Sequence, residues 1–240
     1  MTPTSQSRPV FIAALPREIM RLVAQRGWRA DRSLLGRNIH LFEHENAVIA
    51  CAGMGTRRAS LAVEAALNLG PASELISVGW AGACGPRLAT GDTIHAGIVI
   101  DAQTGERFFP SAPHNGAETG ILVTVAAPAS VSEKMRLAAS YHATAVDMEA
   151  AAVARIALAR ELPFRAIKTI SDSGDVELPD TSGFVTPDGQ FRETAFALHV
   201  ALRPYLWRSV ATVARGSTLA AQRLRSEIEA HIQDNRERQT

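Results

Sequence analysis

Along the chain, the spacing of apolar positions switches repeatedly between strand-like runs and helical periods. VFIAA (Val10–Ala14) reads as a buried strand, and Pro16 suits the first turn of a helix reaching about Gln25. NIHLFEHENAVIACAG predicts two strands joined by a tight turn near Glu45-Asn46. A helix follows over RRASLAVEAALNLG, closed by Gly70 and Pro71. ELISVGWAGACG predicts a short buried strand that breaks into glycines. Further strands are predicted at TIHAGIVID, ILVTVAA and FRAIKTIS, and helices near 131–140, 147–161, 190–202 and 205–231. Strands alternating with helices, several of them continuously apolar, imply an α/β sandwich with a mostly parallel sheet. No internal repeat, low-complexity segment or linker interrupts the pattern, so one domain is expected, preceded by a loose polar tail over residues 1–8.

One predicted helix holds an oddity. In AVDMEAAAVARIA (Ala145 to Ala157), helical spacing places Glu149 on the face of Ala152, Val153 and Ile156, with Asp147 and Arg155 opposite. An unpaired buried carboxylate is costly, so something must pair with Glu149 or exploit its charge. Asp147 reads as an N-cap without a chemical role. Other unusual residues follow predicted strands, where ligands of open α/β sheets bind. Glu18 lies in the helix turn after the first strand, Gly53-Met54-Gly55 follows AVIACA, Gly79-Trp80-Ala81-Gly82 follows LISV, and Ser171-Asp172 follows FRAIKTI. Three carboxylates and two glycine turns are therefore expected to face one cleft. Singly, each has a plainer reading. Glu18 is a helix-start acid favoured by the dipole, the glycines make a tight turn, and Asp172 belongs to an acidic loop with Asp175, Glu177 and Asp180.

Composition narrows the chemistry. A net charge of +1 gives no global field for nucleic acid. Cys51 and Cys84 form no CxxC pair and read as reduced core residues, so a cytoplasmic location is expected. No apolar run reaches the length of a membrane span. GxSxG, HExxH, the P-loop motif and zinc-like Cys/His spacing are all absent, so no metal site and no cofactor are expected. His40 and His44 read as edge residues of the hairpin. A dinucleotide-dependent oxidoreductase would need GxGxxG after the first strand with an acid about 20 residues on, and neither glycine turn supplies it.

At AVDMEAAAVA, KTISD and SVGWAGACG…GD, the chain resembles the purine nucleoside phosphorylase and methylthioadenosine/adenosylhomocysteine nucleosidase superfamily, over roughly Val10 to Leu202. The resemblance implies one α/β domain, assigned to residues 9–204, built as a three-layer sandwich on a mixed, partly barrel-like sheet flanked by helices and assembling as a homo-oligomer. It implies cleavage of the N-glycosidic bond of a purine nucleoside of the adenosine type. Glu149 would bind the ribose hydroxyls and stabilise the ribosyl cation, with Met148 against the sugar. Asp172, beside Ser171, would protonate the base at N7. Glu18 matches the glutamate that orients the attacking water, and Trp80, Ala81 and Gly82 fall among the substrate-binding positions.

The chain also departs from the family pattern. Phosphorolytic members place an arginine before the glycine turn and a serine within it, where this chain has Ser77 and Trp80. Losing a cation and a hydroxyl weakens a phosphate site, so hydrolysis is expected. The alternative is phosphorolysis, with phosphate as co-substrate held by Gly53, Gly55 and Arg57, with Arg58 beside them, although the ordinary reading of the two arginines is a solvated helix-start pair. A binding protein without turnover is a further alternative, against which the intact Glu149 and Asp172 argue. Trp80 brings bulk where the family has a small residue, and Lys168 replaces an arginine common in the nucleosidases.

Residues 205–240 form a separate extension. Its amphipathic helix and the stretch before it carry Arg203, Arg208, Arg215, Arg223 and Arg225 with no acid between them. A solvated helix packed on the domain is the ordinary meaning. The sharper one is a membrane-surface contact with anionic lipid, since this tail is similar to that of hopanoid-associated phosphorylase-like proteins, whose expected substrate is an adenosyl lipid.

Overall fold

Five strands close into a ring, and a second group of strands extends from it. In the computed structural model, residues 7–111, 119–174 and 207–239 are described, with 182–184, 186, 192 and 195 between them. The helix predicted over 190–202 and the acids Asp175, Glu177 and Asp180 thus lie almost wholly outside the described residues. The elements are β1 (Arg8–Ala13), α1 (Pro16–Val23), β2 (Arg29–Asp31), β3 (His40–His44), β4 (Ala47–Cys51) and α2 (Thr56–Leu67). They continue with β5 (Ala72–Ala83), β6 (Thr93–Asp101), β7 (Arg107–Phe108), β8 (Thr119–Thr124) and α3 (Val131–Tyr141). The last are β9 (Ala145–Asp147), α4 (Ala150–Ala159), β10 (Phe164–Asp172) and α5 (Trp207–Gln239).

The ring runs β5-β10-β6-β8-β9 and returns to β5, from which β1, β4, β3 and β2 follow outward. Parallel and antiparallel ladders are equally represented, so the expectation of a mostly parallel sheet is corrected. A continuously apolar strand reports that both its faces are covered. Ring closure and outer helices cover both faces whatever the strand direction.

β5 is the second correction. It does not break at its glycines but runs for 12 residues, because it pairs with β1 and β10 along its length and with β9 at Gly82 and Ala83. Gly79 has φ 131, which a residue with a side chain rarely adopts, and so lets the strand continue. The helix predicted from residue 147 begins later, at Ala150, after the short strand β9.

α5 is built into the core. Its Leu224 and Ile228 are fully buried against Phe11, Ile19, Leu22, Ile76 and Ile167. His231 meets Glu74 at 2.8 Å, and Glu74 also pairs with Arg165 at 2.9 Å. Arg215, Arg223 and Arg225 stay exposed on the far side. Among the described residues, no helix is long and apolar enough to cross a membrane.

Candidate active site

A cavity of about 510 Å³ opens beyond the carboxyl ends of β1, β5 and β10, where they meet those of β8 and β9. Glu18, Glu149 and Asp172 all line it, together with Trp80, Ala81, Gly82, Met148 and Ser171. α5 supplies a further wall with Ala214, Ser217, Thr218 and Ala221. The three carboxylates sit in different settings.

Glu18 is buried on α1 and reaches back to the amides that precede the helix, accepting from Ala14 at 2.9 Å and Leu15 at 3.1 Å. A Cβ at Gly79 would lie 3.0 Å from Glu18 Oε2, so the carboxylate rests directly on the β5 backbone. Burial raises its pKa, against the lowering pull of the two amides and of Lys168.

Glu149 is buried, though not by the route its helical spacing implies. It occupies the N-cap position of α4, with φ −129 and ψ −34, outside the helix proper. Oε1 accepts from the Gly55 amide at 2.7 Å and Oε2 from Met148 at 3.3 Å. Burial and then the charge of Asp147 push its pKa up to about 7, against Lys168 and the Gly55 amide.

Asp147 is not on a solvent face. It ends β9 and pairs with Lys168 Nζ at 2.9 Å, with essentially no side-chain exposure on either partner. Thr124 Oγ1 donates to its Oδ1 at 2.7 Å, and the Ala150 amide donates to its Oδ2 at 2.9 Å. Asp147 thereby serves the first turn of α4 from two positions before the N-cap. Lys168 also donates to the Val78 carbonyl at 3.2 Å. Burial alone would lower the Lys168 pKa, but Asp147 and Glu149 outweigh it and raise it.

Asp172 accepts from two donors. Ser171 Oγ donates to Oδ1 at 2.6 Å, and Lys134 Nζ, from α3, pairs with Oδ2. Trp80 lies under the Arg17 guanidinium, 5.2 Å from the ring centroid. Its indole nitrogen has no hydrogen-bond partner among the described residues, and neither does the buried Ser77 hydroxyl.

Of the candidate phosphate ligands, Gly53 and Gly55 abut this group without lining the cavity. The Gly53 amide donates to the Ala14 carbonyl at 2.9 Å and the Gly55 amide to Glu149, so both donors are engaged. Gly53, Gly55 and the exposed Arg57 do not line the cavity, whereas Met54 does. Arg58 is not a solvated helix-start arginine. It is buried and donates to the carbonyls of Ala52, Arg37 and Asn38. Among the described residues no group of three His, Cys, Asp or Glu is placed to hold a metal ion.

The profile of the phosphorylase superfamily matches residues 9–119 and 115–203. The chain belongs to the phosphorylase superfamily. That membership makes it a nucleoside-cleaving enzyme. Its fold matches that of Arabidopsis thaliana 5′-methylthioadenosine nucleosidase, with a TM-score of 0.71 at 19% identity over 95% of this chain and 96% of that one. A nucleosidase (MTAN) of Chlamydia trachomatis gives 0.63 at 19% identity, over 95% and 99%. Futalosine hydrolase of Helicobacter pylori gives 0.66 at 16% identity, over 93% and 98%. No curated protein sequence matches the chain.

Three groups at this cavity escaped the sequence reading. Lys134 carried a readable signal, because it shares a helical face with Leu137, Ala138 and Tyr141, as Glu149 seemed to with its own neighbours. Arg17 and Arg21 line the cavity one turn apart on α1 but look like ordinary surface arginines in sequence. The small residues of α5 gave no local signal at all.

Proposed function

We propose that this enzyme hydrolyses the N-glycosidic bond of an adenosine-type purine nucleoside. The convergence of Glu18, Glu149 and Asp172 on one cavity carries the reading. Breaking C1′–N9 builds positive charge on the ribose and negative charge on the purine. Glu149, fixed by the Gly55 amide, stabilises the ribosyl cation through the sugar hydroxyls, with Met148 against the ring. Asp172 delivers a proton to N7. Glu18, whose proton affinity is raised by burial, orients a water and takes its proton as the water attacks C1′.

Water suits this place better than phosphate does. A phosphate dianion would approach two buried carboxylates, and the Gly53 and Gly55 amides that could cradle it are engaged. The names of the structural neighbours, two nucleosidases and a hydrolase, agree with hydrolysis. Phosphorolysis is the second reading, favoured by Arg17 and Arg21 on the cavity wall.

The test is base release from adenosine, inosine, methylthioadenosine, adenosylhomocysteine and futalosine, with and without phosphate, beside Asp172→Asn. Release without phosphate that the variant abolishes is the expected result. Release that requires phosphate replaces hydrolysis by phosphorolysis.

A further inference from the structure

Lys134 is 1% exposed, inside a cavity wall, and ion-paired to Asp172. Removing an ammonium and a carboxylate from water is costly, and a well-packed apolar pair is often as stable, so anchorage alone is a weak reason for the pair. α3 already has an apolar anchor in the fully buried Leu137. The rest of the site makes room for the pair. A Cβ at Gly82 would lie 3.0 Å from Asp172 Oδ2 and 3.0 Å from Lys134 Cε, so β5 carries no side chain where the two meet.

The hydrogen bonds at Asp172 raise a chemical question. Oδ1 meets the Ser171 hydroxyl, which also reaches the Ala81 carbonyl at 3.4 Å, and Oδ2 accepts from Lys134, the pattern of a carboxylate with no proton of its own on Oδ2. A general acid needs one. Among the described residues, Lys134 is the cation in contact with Asp172, and it also donates to the Ser173 carbonyl at 3.3 Å.

We infer that Lys134 supplies the proton that Asp172 passes to the leaving purine, an inference that rests on the nucleosidase reading above. The Nζ–H bond breaks and an Oδ2–H bond forms, giving a neutral amine and a carboxylic acid. That acid gives its proton to N7 as the C1′–N9 bond breaks and its electron pair enters the purine ring. Water, losing a proton to Glu18, bonds to C1′. After the base leaves, the Lys134 amine takes a proton from solvent and Glu18 returns one. The two groups are buried and in direct contact, so the first transfer runs along a hydrogen bond that already exists. Lys134 is a positioning and proton-supplying residue, acting through Asp172.

The experiment compares two leaving groups in Lys134→Met and Lys134→Arg. Purine nucleosides need a proton on the base, whereas 4-nitrophenyl riboside releases a phenolate that needs none. Both variants are expected to release purine at least about 100-fold more slowly in kcat, with KM little changed. Both should hydrolyse 4-nitrophenyl riboside near the wild-type rate, which also shows that they are folded. Arginine restores the charge but holds its proton too tightly to transfer it. Base release restored by Lys134→Arg would reduce Lys134 to an electrostatic partner and overturn the inference. Equal losses on both substrates would make the pair an anchor and also overturn it. A wild type that cleaves the riboside but releases purine from no nucleoside would overturn the nucleosidase reading, and this inference with it.

Discussion

Glu149 accepts the Gly55 amide at 2.7 Å, although 94 positions separate them in the chain. This bond joins the N-cap of α4 to the N-cap of α2 and fixes the carboxylate at the cavity wall. Glu149→Gln keeps a carbonyl acceptor for Gly55 and removes the charge, giving up only the longer 3.3 Å contact from the Met148 amide. Its stability is therefore expected within about 1 kcal/mol of wild type in urea unfolding. Base release is expected to fall about 10²- to 10³-fold, the loss of one fixed electrostatic contact to the developing ribosyl cation. An activity loss smaller than about tenfold would remove Glu149 from that role.

The same carboxyl sets a pH dependence. Its pKa is raised from 4.5 to about 7 by burial and Asp147, and the ionised form is the one that stabilises the cation. Activity should therefore rise with pH through about 7, and this limb should vanish in Glu149→Gln. Stability runs the other way. Between pH 4.5 and about 7 the folded state holds a proton that the unfolded state has released. Glu149 thus contributes stability that is fully present below pH 4.5 and lost as pH rises through about 7. Glu18, also raised by burial, adds in the same direction. Melting temperatures measured from pH 4.5 to 8 should fall more steeply for wild type than for Glu149→Gln. Parallel curves would contradict the assignment.

How far the site was legible depended on whether its signals were local. Glu18, Glu149 and Asp172 each stood beside a strand or helix end, and the cavity gathers all three. The reason given for Glu149 was nevertheless wrong, since it lies outside the helix and is turned inward by Gly55 and the short strand β9. β2 and β9 have three residues each, too few for a period to show. Arg58 sits in a polar-looking pair, and only the fold brings the Arg37 and Asn38 carbonyls to it. Ring closure depends on the antiparallel contact of Gly82 with Val146, a pairing that neither segment announces.

Lys168 and Asp147 form the most deeply buried ion pair described at the site, with side-chain exposures of 1% and 0%. Lys168→Met would leave Asp147 charged and unpaired beside Glu149, which costs about 3–5 kcal/mol. The double variant Lys168→Met, Asp147→Asn removes both charges, and most of that loss should return. Chemical unfolding of the two variants checks this as a coupling energy. If the double variant is no more stable than Lys168→Met alone, the pair is not the source of the loss.

α5 can be tested at a residue far from any proposed chemistry. Leu224 is fully buried against Phe11, Leu22 and their neighbours, while Ser217, Thr218 and Ala221, within two turns of it on the same helix, face the cavity. Leu224→Ala removes buried methyl groups and leaves a void, which typically costs about 2–5 kcal/mol. If α5 is part of the domain, the single cooperative unfolding transition should shift to lower urea without changing its slope. If the helix is instead an appended element, the main transition should stay in place and only a separate, earlier loss of helix signal should move. Because α5 walls the cavity, the first outcome also predicts that base release in the variant falls at the same urea concentration as its global unfolding.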